Sequence, residues 1–593
     1  MGLFRLFLAC LFLGCARGAA AAGVELPLRV PLAAVEQALG ARLAASPAGP
    51  NVVYREGRCR YLRLETPRLE AVEGRVRLSA PGSAALGLEV LGNCQNAAAW
   101  RGMLHVTLAP QLDAAGRLRL RVIDSRLADA GQDAAGLAFL WDLSKRHLHA
   151  RLEEFSLDVA PLRDALLQVV GTAAPPAERA ALETALVQLR FLAPRVEPGA
   201  VTLPIALEVP DAWLVLPPPA SAAPLSAAQL EALDRALQPW DAFLVHSIRQ
   251  FALDRDDAVL RQRLFTLLLD SRYQLSAILS GEAIAAGDPL RALFMDAWNE
   301  LRAILAADAT LRYAAFLDAG DALLALDSAA PGLGMRVSAD GLRQLARALN
   351  PTAAGDPLAY DWTVDRQLRT VFGVEEIPDT APPTPRGWLD FFIRRAHAER
   401  PLDRWAPTRA ELDLYEARIG ELLRVTAAGQ LKRASLPAPY DTIYERLVPT
   451  TALIESCWRQ YAVRGGKPTY VRSGSGSVGI MQINQRVWRG FYDVERLRWN
   501  TAYNVRAGAQ ILMRYLKDYA IPYAKKTGDT DDVPRAAYAV YNAGPRAVGR
   551  FDKSPPHPRE ARVDQRLWNL YQGIASGEQV DLRSCDLSTA SAS

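Results

Sequence analysis

The spacing of apolar residues changes along the chain, and each change predicts a different kind of element. Over residues 63–91 apolar and polar positions alternate, broken at Glu73-Gly74 and Pro81-Gly82. Residues 103–108 and 118–123 alternate again around Ala114-Ala115-Gly116-Arg117. A period of two belongs to a strand with one buried face, and glycine at the break suits a hairpin turn. A further strand is expected over 148–159, helices over 161–170 and 177–191, and a strand over 201–209. Residues 23–215 therefore read as a β-rich α+β accessory domain. Prolines crowd residues 216–224, and because they continue neither a helix nor a central strand this stretch reads as a linker.

Beyond the linker the period becomes helical. Ser226 is placed to cap a helix whose apolar residues Leu230, Leu233 and Leu237 recur at helical spacing. Phe265, Leu268 and Leu269 share a face, as do Leu290, Leu293, Phe294, Ala297 and Trp298. No fixed repeat relates these segments, so 225–436 reads as an all-helical domain without evident chemistry, with a Pro-rich loop at 380–385. From 437 to 593 the pattern is again mainly helical, with helices expected over 449–461, 502–519, 534–541 and 563–574. Pro449 suits a first turn, where its missing N–H is not needed. The fold class is thus multidomain: β-rich α+β, then all-α, then mainly α.

The first residues follow another order. Arg5 precedes an apolar run over 6–13, and alanines occupy 19–22. That is the order of a secretory signal, so 1–22 is expected to direct export to the periplasm, and the run is too short to span a membrane. Gly14-Cys15 offers a second reading, an outer-membrane lipoprotein anchored through Cys15. Cys10 and Cys15 lie in this segment, leaving Cys59, Cys94, Cys457 and Cys585. Four cysteines in an oxidising compartment read as two disulfides. Of the three pairings, Cys59 with Cys94 and Cys457 with Cys585 needs no bridge across the long middle. No Cys or His cluster has metal-ligand spacing, so no metal and no cofactor are expected.

Composition narrows the picture little: half of the 593 residues are hydrophobic and 23% charged, which is globular. A net charge of +4 gives no argument for nucleic acid. The excess is nevertheless concentrated, since residues 441–593 hold 22 Lys and Arg against 15 Asp and Glu. That basic end fits a polyanionic partner, an acidic upstream domain or a solvated surface.

Three patches in this last segment carry chemistry. They are Ala452-Leu453-Ile454-Glu455-Ser456, then Ser473 to Gln482 (Ser-Gly-Ser-Gly-Ser-Val-Gly-Ile-Met-Gln), then Ala539-Val540-Tyr541-Asn542-Ala543-Gly544-Pro545. Taken singly they read as a solvated glutamate, a Gly/Ser loop and a helix C-terminus. Together and in this order the segment resembles the lytic transglycosylases of the soluble-murein-transglycosylase type, which have a lysozyme-like fold. That family carries Glu-Ser, then Ser-x-x-Gly-[Ala/Ser]-x-Gly-Leu-Met-Gln, then Ala-Tyr-Asn-Ala-Gly. The second motif matches at Ser473, Gly476, Ser477, Gly479, Met481 and Gln482, with Ile480 for Leu. Residues 504–512, from Asn504 through Gly508 to Leu512, resemble the family's Asn-x-x-x-Gly-x-x-x-Leu helix. The resemblance covers about 440–572. It departs in a longer connection between the first two motifs, expected to loop out near the cleft around 464–468, and in Val540 for Ala.

The resemblance implies a glycan-cleaving lyase acting on peptidoglycan strands, with no other partner specified. It implies that Glu455 is the single catalytic acid and then base. Cleaving a glycosidic bond needs a proton on the leaving oxygen, and a desolvated carboxyl with raised pKa supplies it. A hydrolase adds a second carboxylate; Asp493 and Glu495 are the nearest and read as surface residues. The N-acetyl group of the muramoyl residue takes that place, and its C6 hydroxyl closes a 1,6-anhydro ring. Substrate-side roles fall to Ser473 (to Glu455 or the acetamido group), Gln482 (to a sugar amide), Met481 (an apolar wall), Tyr541 (orienting the acetamido group or Glu455) and Asn542. Ser456 is expected to shape the motif turn, and Leu453, Ile454 and Trp458 to wall the acid. A hydrolytic muramidase and a catalytically inactive cell-wall-binding scaffold are the competing readings.

Overall fold

The computed structural model describes residues 23–45, 51–128, 134–216, 226–254, 256–281, 288–305, 311–352, 354–360, 363–378, 401–555 and 557–585. The expected export signal with Cys15, nearly all of the linker, and the loop at 380–385 lie outside these residues. The N-terminal region is β-rich, and the middle and C-terminal regions are helical. The described residues fall into two compact units, divided along the chain as 1–219 with 305–354 and 220–304 with 355–593. The stretch 225–436 is therefore shared between them.

The first unit holds an antiparallel seven-stranded sheet. Its strands are β2 (Val52–Glu56), β3 (Arg60–Leu64), β4 (Arg68–Val72), β5 (Arg75–Val90), β6 (Asn93–Leu112), β7 (Arg117–Ala128) and β8 (Ser156–Asp158). Alternation becomes packing here: Val76, Leu78 and Ala80 of β5 pair with Leu108, Val106 and Leu104 of β6, and all six are buried. The helix α2 (Ala134–Glu153) packs on β6 and β7. It overturns the strand expected over 148–159. Leu148 and Leu152, four apart, are both fully buried on one helical face, and only Ser156–Asp158 remains as strand, paired with Arg117–Arg119. Cys59 and Cys94 form a disulfide, with Cα atoms 5.3 Å apart.

A second sheet of this unit pairs β1 (Gly23–Pro31) with β11 (Ala200–Glu208) along nine residues, flanked by β9 (Arg190–Phe191) and β10 (Arg195–Glu197). Residues 201–207 of β11 are buried without alternation, as expected of a strand covered on both faces. The helix α8 (Leu311–Ala329) packs on β1 and on α3 (Ala160–Gly171). Asp318 accepts from the backbone N–H of Arg29 at 3.0 Å.

The second unit is helical. α5 (Ala227–Asp254) opens with the expected Ser226 cap, since Ser226 Oγ accepts from the Gln229 N–H and the Gln229 side chain accepts from that of Ser226. α6 (Ala258–Leu279) packs on α5, capped by Asp257. A buried ion cluster ties both to the segment 487–489. Arg272 of α6 grips both carboxylate oxygens of Asp241 of α5 at 2.9 and 3.2 Å. Its third nitrogen donates to the carbonyls of Val487 at 3.0 Å and Arg489 at 2.9 Å. The Arg489 guanidinium approaches Asp241 at 2.6 Å.

Around this lie α11 (Leu412–Ala434), α12 (Tyr440–Ser456), α13 (Val494–Trp499), α14 (Thr501–Tyr515), α15 (Ile521–Thr527), α16 (Asp532–Ala543) and α17 (Pro558–Ala575). Pro449 does not begin a helix; it lies inside α12, which starts earlier at Tyr440, and its carbonyl accepts from the Trp458 indole at 2.9 Å. The connection expected to loop out near the cleft is instead a hairpin of Tyr461–Arg464 with Lys467–Tyr470. Gly465 and Gly466, both at positive φ, make its two-residue turn. Among the described residues no helix is long and apolar enough to cross a membrane.

Candidate active site

Glu455 sits in the last turn of α12, where residues 450–456 are all buried. Cys457 and Trp458 then take left-handed backbone, at φ 52° and 56°, so the chain turns sharply after the acid. Cys457 is pinned there by a disulfide to Cys585, with Cα atoms 5.9 Å apart. Ser456 is fully buried and touches no cleft. Its hydroxyl donates to the carbonyl of Ile480 at 2.6 Å and accepts from the Arg459 N–H at 3.2 Å. It locks the helix end onto the second motif. Ser456→Ala leaves a buried carbonyl short of a donor. A loss of about 1–3 kcal/mol in denaturant unfolding is expected, and a loss under 0.5 kcal/mol would contradict the lock.

The second motif is built by its glycines and by Asn504. Gly479 has φ +78°, and a Cβ there would lie 2.3 Å from Asn504 and 2.5 Å from Gln460. Asn504 of α14 accepts from the Met481 N–H at 2.9 Å and donates to the carbonyls of Val478 and Leu497 at 3.0 and 2.9 Å. Gly508, one turn on, leaves room for Met481, whose Cβ would be 2.5 Å from any Cβ there. Met481 is fully buried against this helix and offers no wall to a sugar. Ser473 does not reach Glu455. Its hydroxyl accepts from the Ser477 N–H at 3.0 Å and pairs with Ser475 at 2.9 Å, closing the motif's own turn. Gln482 does line the cleft, with its amide donating to the Gly479 carbonyl at 2.7 Å.

The third motif lies on α16. Tyr541 lines the cleft, but its hydroxyl donates to the Met481 carbonyl at 2.6 Å. The partner of Glu455 is Tyr538, whose hydroxyl donates to Oε1 at 2.9 Å. Tyr538 was legible only as the residue one turn before Tyr541, on the same helical face. Asn542 accepts from Arg550 at 2.7 Å at the cleft edge. Gly544 is required by the close approach of Tyr273, whose ring would lie 2.7 Å from a Cβ there.

These residues enclose a cleft of about 300 Å³. Helix α6, from the stretch in which no chemistry was expected, supplies Tyr273 and Ser276 to its wall. The Tyr273 hydroxyl donates to the Tyr541 carbonyl at 3.1 Å, and Ser276 accepts from Asn484 at 2.7 Å. Asp493 and Glu495 stay outside the cleft; Asp493 caps α13 and Glu495 pairs with Arg498. Glu560 is the second carboxylate among the cleft residues. Trp458 turns its ring to Gly420 of α11.

Glu455 is 7% exposed. Burial pushes its pKa up to about 7, against the Tyr538 hydrogen bond and the positive charges of Arg566 and Arg550, which favour the carboxylate. The Tyr538 hydroxyl is raised well above its ordinary value by burial and by Glu455, so it remains a donor. The site thus presents a carboxyl poised near neutrality, hydrogen-bonded by one phenol and facing a polar cleft.

No curated protein and no solved structure matches the chain significantly. Residues 439–562, which supply Glu455, Gln482, Tyr538, Tyr541 and Asn542, match the family model of the transglycosylase SLT domain, so this part of the chain is similar to a transglycosylase-type domain.

Proposed function

We propose that the protein is a lytic transglycosylase that cleaves the β-1,4 bond between N-acetylmuramic acid and N-acetylglucosamine without water. The observation that carries this is Glu455, buried in the cleft with a pKa of about 7. A group titrating at the working pH serves both as acid and as base. Its carboxyl protonates the glycosidic oxygen while the acetamido group of the muramoyl residue assists departure of the leaving sugar. The carboxylate then takes the proton of the muramoyl C6 hydroxyl, whose oxygen bonds to C1. The product is a 1,6-anhydro-muropeptide, and Glu455 ends protonated as it began. Tyr538 holds the carboxyl in place, and Gln482 and Asn542 present amides at the cleft.

Residues 437–593 are taken as the catalytic lysozyme-like domain and 23–215 as the accessory domain. The two disulfides fit an oxidising compartment. The periplasm, reached through residues 1–22, is the proposed location, with an outer-membrane anchor at Cys15 as the variant form.

Digestion of purified sacculi followed by mass measurement of the released fragments tests the reaction. Fragments lacking one water relative to the hydrolytic product are expected. Hydrated products with incorporated solvent oxygen would make the protein a muramidase, with Glu560 the first residue to examine. Binding without release of soluble fragments would make it a scaffold.

A further inference from the structure

We infer that Arg550 is a positioning residue that acts through Glu455: its guanidinium is the built-in counter-charge for the carboxylate formed when Glu455 gives up its proton. This deepens the reading of Glu455 given above and rests on it. Arg550 begins the short turn Arg550–Asp552 after the third motif and is 3% exposed at the cleft. One nitrogen, Nη1, is fixed by the side-chain oxygen of Asn542 at 2.7 Å. The other two, Nε and Nη2, are buried and have no hydrogen-bond acceptor among the described residues. Their N–H groups project from one edge of the planar guanidinium, the edge that matches the two oxygens of a carboxylate. A buried cation with its carboxylate-binding edge unpaired is unfavourable, so it calls for an anion that appears at some stage.

The titratable groups whose charge reaches Arg550 decide which anion. They are Tyr538, Glu560, Asp564 and Glu455. Asp564 is already held by Arg535 at 2.7 Å. Tyr538 keeps its proton. Glu560 is only half-buried at the outer end of α17, where solvent screens it. Glu455 is buried, and below neutral pH it is neutral at rest, which leaves the arginine edge without an anion in the resting enzyme. Proton donation creates the carboxylate in that same desolvated space. The other groups whose charge or burial acts together with Glu455 are Tyr538 and Tyr541 of α16, Tyr273 of α6 and Arg566 of α17; the three phenols carry no charge, and Arg566 is only half-buried, so solvent screens it more than it screens Arg550. The attraction to Arg550 is therefore strongest after proton transfer has begun, the condition under which an interaction speeds a reaction.

The test uses the full chain carrying Arg550→Gln or Arg550→Lys, with release of soluble fragments from sacculi followed from pH 5 to 9. Arg550→Gln is expected to lower the rate roughly tenfold or more and to move the alkaline limb up by about one pH unit, because the carboxylate has lost the buried one of its two neighbouring positive charges. Arg550→Lys, which keeps the charge, is expected to hold the limb at the wild-type pH. Equal losses in both variants with an unmoved limb would reduce Arg550 to a structural residue, and an unchanged rate would remove it altogether. Titration of isotope-labelled Glu455 in wild type and variant supplies a readout that needs no turnover: an unshifted Glu455 overturns the inference. Should the Gln form not fold, Arg550→Met takes its place, filling the space without donors. A wild type that releases no anhydro product would instead sink the reading of Glu455, whatever the titration shows.

Discussion

Glu455→Gln is expected to lower the release of soluble fragments from sacculi by roughly 10²- to 10⁴-fold, the usual contribution of a positioned acid–base group. Glutamine fills the same volume and keeps an oxygen for the Tyr538 hydroxyl, so the fold is expected to persist. The same substitution has a second, thermodynamic signature. In the folded chain this carboxyl titrates near 7, against an ordinary 4.5. The folded state holds the proton between these values while the unfolded chain has lost it. That contribution is complete below pH 4.5 and disappears as pH rises through 7. Glutamine does not titrate. Relative to wild type, the variant should gain about 3 kcal/mol of unfolding free energy between pH 4 and pH 8. Urea unfolding at the two pH values reads this directly. A stability difference that does not vary with pH, or a variant that digests sacculi at the wild-type rate, would remove Glu455 from its role.

Asp241→Asn is expected to destabilise the second unit by about 3–5 kcal/mol, although it lies outside the matched motifs. Asp241 is 1% exposed and is the shared counter-ion of Arg272 and Arg489. Burial alone would raise its pKa, but the two arginines outweigh this and hold it below the ordinary carboxylate range. Without the carboxylate, two guanidinium groups remain desolvated side by side. Because the folded pKa is depressed, this stabilisation is present at neutral pH and is lost as pH falls through the folded value, so the wild type should lose stability in acid while the variant loses less. Activity should fall with stability, since Trp488, held between the carbonyls that Arg272 grips, lines the cleft. A thermal midpoint unchanged by Asp241→Asn would show that the cluster stabilises nothing.

Legibility followed the range of the interactions. The alternation over 103–108 and 118–123 around Gly116 gave the β6–β7 hairpin, because alternation is a purely local property of a strand, whereas the break expected at Pro81-Gly82 lies inside the continuous strand β5. Ser226 gave the start of α5 for the same reason. The glycines announced a special backbone, and at two of them the structure gives a named obstacle, Asn504 at Gly479 of the second motif and Tyr273 at Gly544 of the third. What a motif residue does was harder to read. Ser456, Ser473 and Met481 have side chains that would suit a sugar, yet Ser456 and Met481 fasten the second motif to neighbouring helices and Ser473 closes that motif's own turn. Tyr538 and Glu455 meet across 83 residues, and nothing near either in sequence announces the pair. The helix over 134–153 was missed because its buried positions 148 and 152 sit at a spacing shared by strand and helix. Tyr273 and Ser276 were missed because a cleft-facing polar residue on an amphipathic helix reads as an ordinary solvated position.

The place of Tyr273 on the cleft wall has a practical meaning for anyone wishing to shorten the chain. A fragment trimmed to 439–562 would leave behind the helix that steadies the Tyr541 carbonyl, and also Cys585, the far end of the bond that anchors the residue two after Glu455. A fragment that keeps these supports therefore has to extend beyond the matched residues, to the helix of Tyr273 and to Cys585.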